Sequence, residues 1–135
     1  MAFDITWRSH GVVIRYKGIM SLDILIRGSK ALFDDERYRT CLYQIGNFED
    51  ADFSRMSIAQ IQKIAIANAG QSRAFPDIPT AIVTKSAIGE AMVFHYRNVA
   101  DAHDMKWNVQ RLQSMEAARK WRDEILSSAG MDPDS

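Results

Sequence analysis

Hydrophobic and polar positions along the chain change period several times, and each change marks an element. Ile5-Thr6-Trp7 and Val12-Val13-Ile14-Arg15-Tyr16 are short β-branched and aromatic runs, separated by the turn formers of Arg8-Ser9-His10-Gly11. This pattern predicts an antiparallel hairpin. Gly18 closes its second strand, and Ser21 then stands as N-cap of a helix whose apolar Leu22, Leu25, Ile26, Leu32 and Phe33 recur at helical spacing. Asp23 lies in the first turn, where negative charge meets the positive end of the helix dipole.

After the acidic turn Asp34-Asp35-Glu36, the middle of the segment Tyr38 to Gly46 is apolar on both alternating faces, which predicts a central strand covered on two sides. Residues 47–56 show no clear period and read as a loop. Ser57 and Gln60 have capping-box spacing ahead of a helix with Ile58, Ile61, Ile64, Ala65 and Asn68 along one stripe and Gly70 as its stop. Pro76 and Pro79 bracket a turn before the short buried strand Thr80-Ala81-Ile82-Val83-Thr84. A third helix from about Ala87 carries Ile88, Ala91, Met92, His95 and Val99 on one stripe. Phe94 and Tyr96 widen its apolar arc, so it needs a second cover: the loop 47–56, a neighbouring subunit or a lipid-like ligand. Met105 to Gln110 alternates as a half-solvated strand, and Ser114 caps a last helix with Met115, Ala118, Trp121 or Arg122, and Ile125 inward.

The order β-β-α-β-α-β-α-β-α predicts an α/β fold: a mixed, mainly parallel sheet with an antiparallel edge strand, covered by about four helices. One domain is expected over 1–128, followed by a disordered tail, 129–135.

Composition narrows the function classes. The chain has 135 residues, and its 17 Lys plus Arg balance 17 Asp plus Glu, so no basic arm marks a nucleic-acid binder. The single Cys41, placed by its apolar neighbours inside the central strand, excludes a disulfide framework and a thiolate metal site. The N-terminus lacks the pattern of a signal peptide, and no apolar run approaches the roughly 18 residues of a membrane span. A cytoplasmic protein is expected.

Catalytic patterns are sparse. His10, His95 and His103 stand apart from one another and from Cys41, so the two-His spacing of a zinc helix is missing. No glycine-rich phosphate loop can be drawn, and the carboxylates at 34–36 and 49–52 read as solvated turns. Ser21, Ser57, Ser86 and Ser114 are explained as helix caps. The sequence therefore predicts no enzyme, no cofactor and no metal. An anionic group would find its best place at the start of the helix at Ser57, with Arg55 two residues earlier.

The run Gly18-Ile19-Met20-Ser21-Leu22-Asp23, the strand Thr40 to Ile45 leading to Asp52-Phe53-Ser54, the strand Ala81-Ile82-Val83-Thr84 and the ending Val109 to Trp121 together resemble the STAS-like (SpoIIAA-like) family. The resemblance spans about residues 3–126. It implies the mixed sheet shared by anti-sigma-factor antagonists and the lipid-carrying Sec14-like domains. In the antagonists it implies a regulatory serine in an Asp-Ser-Ser/Thr-Gly turn after a central strand. Here the segment Gly46 to Met56 replaces that turn, and Ser54 and Ser57 fall near the position without the motif, which argues against a phosphorylation switch.

The reading drawn from these features is a non-enzymatic regulatory or binding module of STAS-like type, with Phe53, Ser54, Arg55 and Ser57 facing a protein partner or an anionic group. The alternative is a carrier of a small apolar or lipid-like ligand, in a pocket under the third helix at Met92, His95 and Tyr96. A homodimer is the other partner expected.

Overall fold

The computed structural model describes residues 2–132. Its strands are β1 (Phe3–Trp7), β2 (Gly11–Ile19), β3 (Tyr43–Asp52), β4 (Pro79–Val83) and β5 (Asn108–Leu112). Its helices are α1 (Leu22–Phe33), α2 (Ile58–Ser72), α3 (Ala87–Ala102) and α4 (Met115–Ser128), with a 3-10 helix over Glu36–Thr40. Strands pair in chain order, β1-β2-β3-β4-β5. β1 runs antiparallel to β2, with Phe3 opposite Tyr16 and Trp7 opposite Val12, and the remaining pairs are parallel. The fold class expected from the pattern is the one observed.

Strand order decides the layers. When each parallel strand is followed by its neighbour, crossovers of one hand deliver their helices to one face. Side chains of α1, α2 and α3, among them Leu25, Leu32, Ile61, Ile64, Tyr96 and Ala100, accordingly share one core cluster with Val12, Ile14 and Tyr16 of β2. The opposite face, with Tyr43 and Ile45 of β3 and Ala81 and Val83 of β4, packs against Ala118 and Leu126 of α4. Beyond α4, the back of β1 and β2 is solvated and carries the exposed ion pairs Arg15–Asp50, at 2.6 Å, and Lys17–Asp4, at 3.2 Å.

All four α-helices start on the serines expected. Ser21 accepts from the Ile24 N–H at 3.2 Å, Ser86 from Gly89 at 2.9 Å and Ser114 from Ala117 at 3.1 Å. Ser57 makes the full reciprocal box with Gln60. At the other end of α4, Gly130, at φ +76, lets its own N–H reach Ser127 O and the Met131 N–H reach Leu126 O. This is the paired C-terminal cap that only a left-handed residue allows. The expected tail therefore begins as a helix cap, and its residues 133–135 lie outside the described residues.

Several boundaries move. The segment Tyr38 to Cys41 is no part of a strand: the Asp35 carboxylate accepts the Arg37 N–H at 2.9 Å and starts the 3-10 helix, which turns Tyr38 into the core. Cys41 consequently sits ahead of β3, half-buried, with its Sγ donating to Arg37 O at 3.5 Å. Residues 47–52, expected in a loop, continue β3, because the nine-residue β2 supplies partners as far as Ile19 opposite Asp52. β5 begins three residues later than the alternation from Met105 suggested. The inner stripe of α3 is Gly89, Val93, Tyr96 and Ala100, one position away from the expected one, so Ile88 and Ala91 face solvent and His95 is only half-buried. On α4 it is Arg122 that is buried, while Trp121 is half-buried.

Leu126 is completely buried where α4 alone closes the second face. Leu126→Ala should therefore lower the unfolding free energy by about 2–5 kcal/mol in a denaturant titration. A loss under about 1 kcal/mol would mean that α4 does not seal that face.

A cavity over the central strand

Residues alternate along β3, so Tyr43, Ile45 and Asn47 turn to the α4 side while Gln44, Gly46 and Phe48 turn to the helical layer. Gly46 sits between Ile14 of β2 and Ile82 of β4 in the register. It presents no side chain at the middle of the central strand. Above it lies a cavity of about 110 Å³. Ile14, Gly46 and Ile82 form its floor, and Leu25 and Leu32 of α1, Ile61, Ile64 and Asn68 of α2, and Met92, Val93 and Tyr96 of α3 form its walls.

Aromatic clusters border both ends. Toward the C-terminal ends of the strands, Tyr16 stacks on Phe48 with ring centroids 4.6 Å apart, and Phe48 meets Phe53 at 5.4 Å. Toward the N-terminal ends, Phe33 lies edge-on to Tyr38 at 5.3 Å, and the buried Trp107 donates its indole N–H to Phe75 O at 3.0 Å. These rings fix the length of the cavity and leave its middle to Gly46.

Two polar arrangements reach it. In the first, the Tyr38 hydroxyl donates to Gln44 Oε1 at 2.8 Å, Gln44 Nε2 donates to Thr80 Oγ1 at 2.8 Å, and Thr80 donates to Ile78 O at 3.0 Å. This chain is satisfied along its length. In the second, Asn68 Nδ2 donates to the Tyr96 hydroxyl oxygen at 2.9 Å, while Asn68 Oδ1 is sealed from solvent with no hydrogen-bond partner. Burial holds the Tyr96 phenol neutral, raising its pKa to about 12 against the smaller opposing effect of Asn68. Tyr16 and Tyr38 are also raised, chiefly by burial. No Lys, Arg, His, Asp or Glu lines the cavity.

The residues expected to form a site divide between this cavity and the surface. Phe53 is buried and lines the cavity. Ser54, Arg55 and Ser57 are exposed. The Ser54 N–H donates to Asp52 Oδ1 at 2.8 Å, and Ser54, then Arg55, hold the Asp52 carboxyl below the usual carboxylate range. Both the side chain and the backbone N–H of Ser57 are taken up in the capping box. Met92 and Tyr96 line the cavity and His95 does not; its ring lies 5.8 Å from Phe94, edge-on, because the inner stripe of α3 runs one residue away from it. Among the described residues no cluster of three or more His, Cys, Asp and Glu could hold a metal ion. No described helix is long and apolar enough to cross a membrane.

Asn68, Gln44, Thr80 and Gly46 were not singled out from the sequence. Asn68 did leave a signal, as a polar residue on the otherwise apolar stripe of α2. Gly46 left none, because its effect depends on register against two distant strands.

No protein-family model matches the chain, and no curated protein matches it. Among solved structures it is similar to the anti-sigma factor antagonist SpoIIAA in its unphosphorylated form, with 19% sequence identity and a TM-score of 0.55. The match covers 90% of this chain and 96% of that one. That likeness shows the fold: a SpoIIAA-like STAS architecture, as the sequence resemblance implied.

Cys41 gives this region a measurable handle. Burial first, and the nearby Asp35 second, push its thiol up from 9.0 to about 11. A thiol raised this far leaves roughly 100-fold less thiolate at neutral pH. Alkylation of Cys41 by iodoacetamide should therefore be slow at pH 8 and climb toward pH 11. A rate that levels off near pH 9 would contradict this burial.

Proposed function

We propose that the chain is a non-enzymatic binding module of the STAS type whose working site is the cavity over Gly46, where it takes up one small apolar ligand. The observation that carries this reading is the gap itself. Interiors are packed to crystal-like density, so a space of about 110 Å³ left among apolar side chains over the central strand is room for a guest. Its lining is mainly apolar, with a few polar groups and no charged side chain among the described residues, as in sites that bury small neutral molecules. A cytoplasmic setting belongs to the same proposal.

Native mass spectrometry of the protein purified from its own source should show a bound adduct. Gly46→Val should lose it while still unfolding cooperatively. A clean apo mass for the unaltered protein would overturn the reading.

A second reading has a specific observation behind it. Ser54 and Arg55 are exposed at the turn into α2, beside the buried Phe53, and the similar fold of SpoIIAA belongs to an anti-sigma factor antagonist. This supports a regulatory module that meets a protein partner through residues 53–57. A second copy of the chain, or another protein, would also find exposed apolar surface on α3, where Phe94 and Ile88 face solvent. If the turn is the contact, Arg55→Glu should weaken capture of the partner about tenfold or more. Equal capture by both forms would sink it.

A further inference from the structure

We infer that the chain pairs with a second copy of itself through β1, whose free edge meets the partner's β1 antiparallel about a two-fold axis at Ile5 and joins the two sheets into one. This surface is separate from the cavity and from α3, so the inference stands whether or not the cavity takes a ligand.

β1 is an edge strand, hydrogen-bonded to β2 alone among the described strands. Two bonds beside its ends decide which of its backbone groups look outward. The Arg8 N–H donates to Gly11 O at 2.8 Å and the Lys17 N–H donates to Ala2 O at 2.9 Å, so the even-numbered residues of β1 form the hydrogen-bonded pairs with β2. Phe3, Ile5 and Trp7 therefore turn their N–H and C=O groups away from the sheet, where no backbone group of the described residues meets them. Their side chains form a half-buried apolar row packed against the helical core, while Asp4 and Thr6 are exposed on the other face. Such an edge is a template for another strand unless something blunts it. β1 carries no Pro, Lys or Arg, and its one charge, Asp4, is held by Lys17 of β2 at 3.2 Å. The opposite edge, β5, does hold a cation, Arg111, whose Nε donates to Thr84 O at 3.1 Å.

The same geometry selects the occupant and the register. In an antiparallel pair, residues that exchange hydrogen bonds must both point their backbone groups into the seam. Centring the two-fold axis on Ile5 meets that condition along the whole strand. Phe3 then faces the partner's Trp7, Ile5 faces the partner's Ile5, and Trp7 faces the partner's Phe3. An aromatic pair stands at each end of the seam on the apolar face, and Asp4 comes opposite the partner's Thr6 on the solvated face. Centring on Asp4 instead would set that carboxylate against the partner's Asp4 and carry Trp7 past the end of the partner's strand. Centring on Thr6 would carry Phe3 past it. β1 is complementary to itself in one register, as an isologous contact requires.

Sedimentation equilibrium and hydrogen exchange of the full chain test this together. The protein should pass from monomer to dimer with concentration, and the Ile5 and Trp7 amides should exchange about tenfold or more slowly in the dimer. Thr6→Asp, at an exposed position, sets like charges opposite Asp4 at two symmetric places and should weaken the dimer about threefold or more, whereas Thr6→Lys should tighten it by a similar factor. Phe94→Ser, on α3, should leave the equilibrium unchanged. A protein that stays monomeric at about 1 mM would overturn the inference. So would a dimer in which the Ile5 and Trp7 amides exchange as fast as in the monomer, one that neither Thr6 substitution shifts, or one that Phe94→Ser dissociates.

Discussion

Gly46 lies at the centre of the central strand, between Ile14 and Ile82, with its missing side chain turned toward three helices. Much of the helical face is arranged around that missing side chain. A Cβ placed there would stand 3.1 Å from the Phe48 ring, close enough that the ring would have to give. Phe48 is in turn stacked on Tyr16, and Tyr16 is pinned beneath α1 at Gly28, where a Cβ would run into its hydroxyl. The row Gly46, Phe48, Tyr16 and Gly28 thus holds two stacked rings between two glycines, from the middle of the sheet to α1.

Sequential strand order adds the second constraint. Three crossover helices share one face of a five-stranded sheet, and α4 alone protects the other. Tyr96 and Asn68 tie α3 to α2, and α1 contributes Leu25, Ser29, Leu32 and Phe33 to the cavity.

The order of elements was legible in the sequence because it rests on local signals: four serine caps, helical apolar spacing and β-branched runs. Errors arose where a local signal had two readings. Tyr38 to Cys41 leads directly into the apolar run of β3 and reads as its start, but Asp35 accepts the Arg37 N–H two residues on and winds Glu36–Thr40 into a 3-10 helix. Residues 47–52 are too charged to read as a buried strand. They form a strand nonetheless, half-solvated, since one face there lies beyond the reach of α4 and Asp50 can pair with Arg15. On α3 the apolar arc is so wide that its phase was free by one residue, and only packing against α2 selects Val93 and Tyr96 over Ile88 and His95. Met92, Tyr96 and Phe53 were legible as candidates, but their convergence on one cavity was not, for it needs the register of β2, β3 and β4.

The two buried polar arrangements make the sharpest contrast in the interior. Tyr38, Gln44, Thr80 and Ile78 hand a hydrogen bond from one to the next and end on a backbone carbonyl, so desolvation leaves no member of that chain orphaned. Asn68 and Tyr96, on the other wall, stop one bond short. A sealed, unpaired carbonyl costs about 1–3 kcal/mol. An apolar residue at position 68 would remove that cost and lengthen the stripe formed by Ile61, Ile64 and Ala65. The deficit is therefore local to the contact of α2 with α3, while the chain through Gln44 is complete. Phe53 joins this wall to the surface, because its ring lines the cavity and the next two residues, Ser54 and Arg55, are exposed. A ligand that moves the ring acts on the same turn that a protein partner would touch. The inner and outer readings of the site thus meet in one side chain.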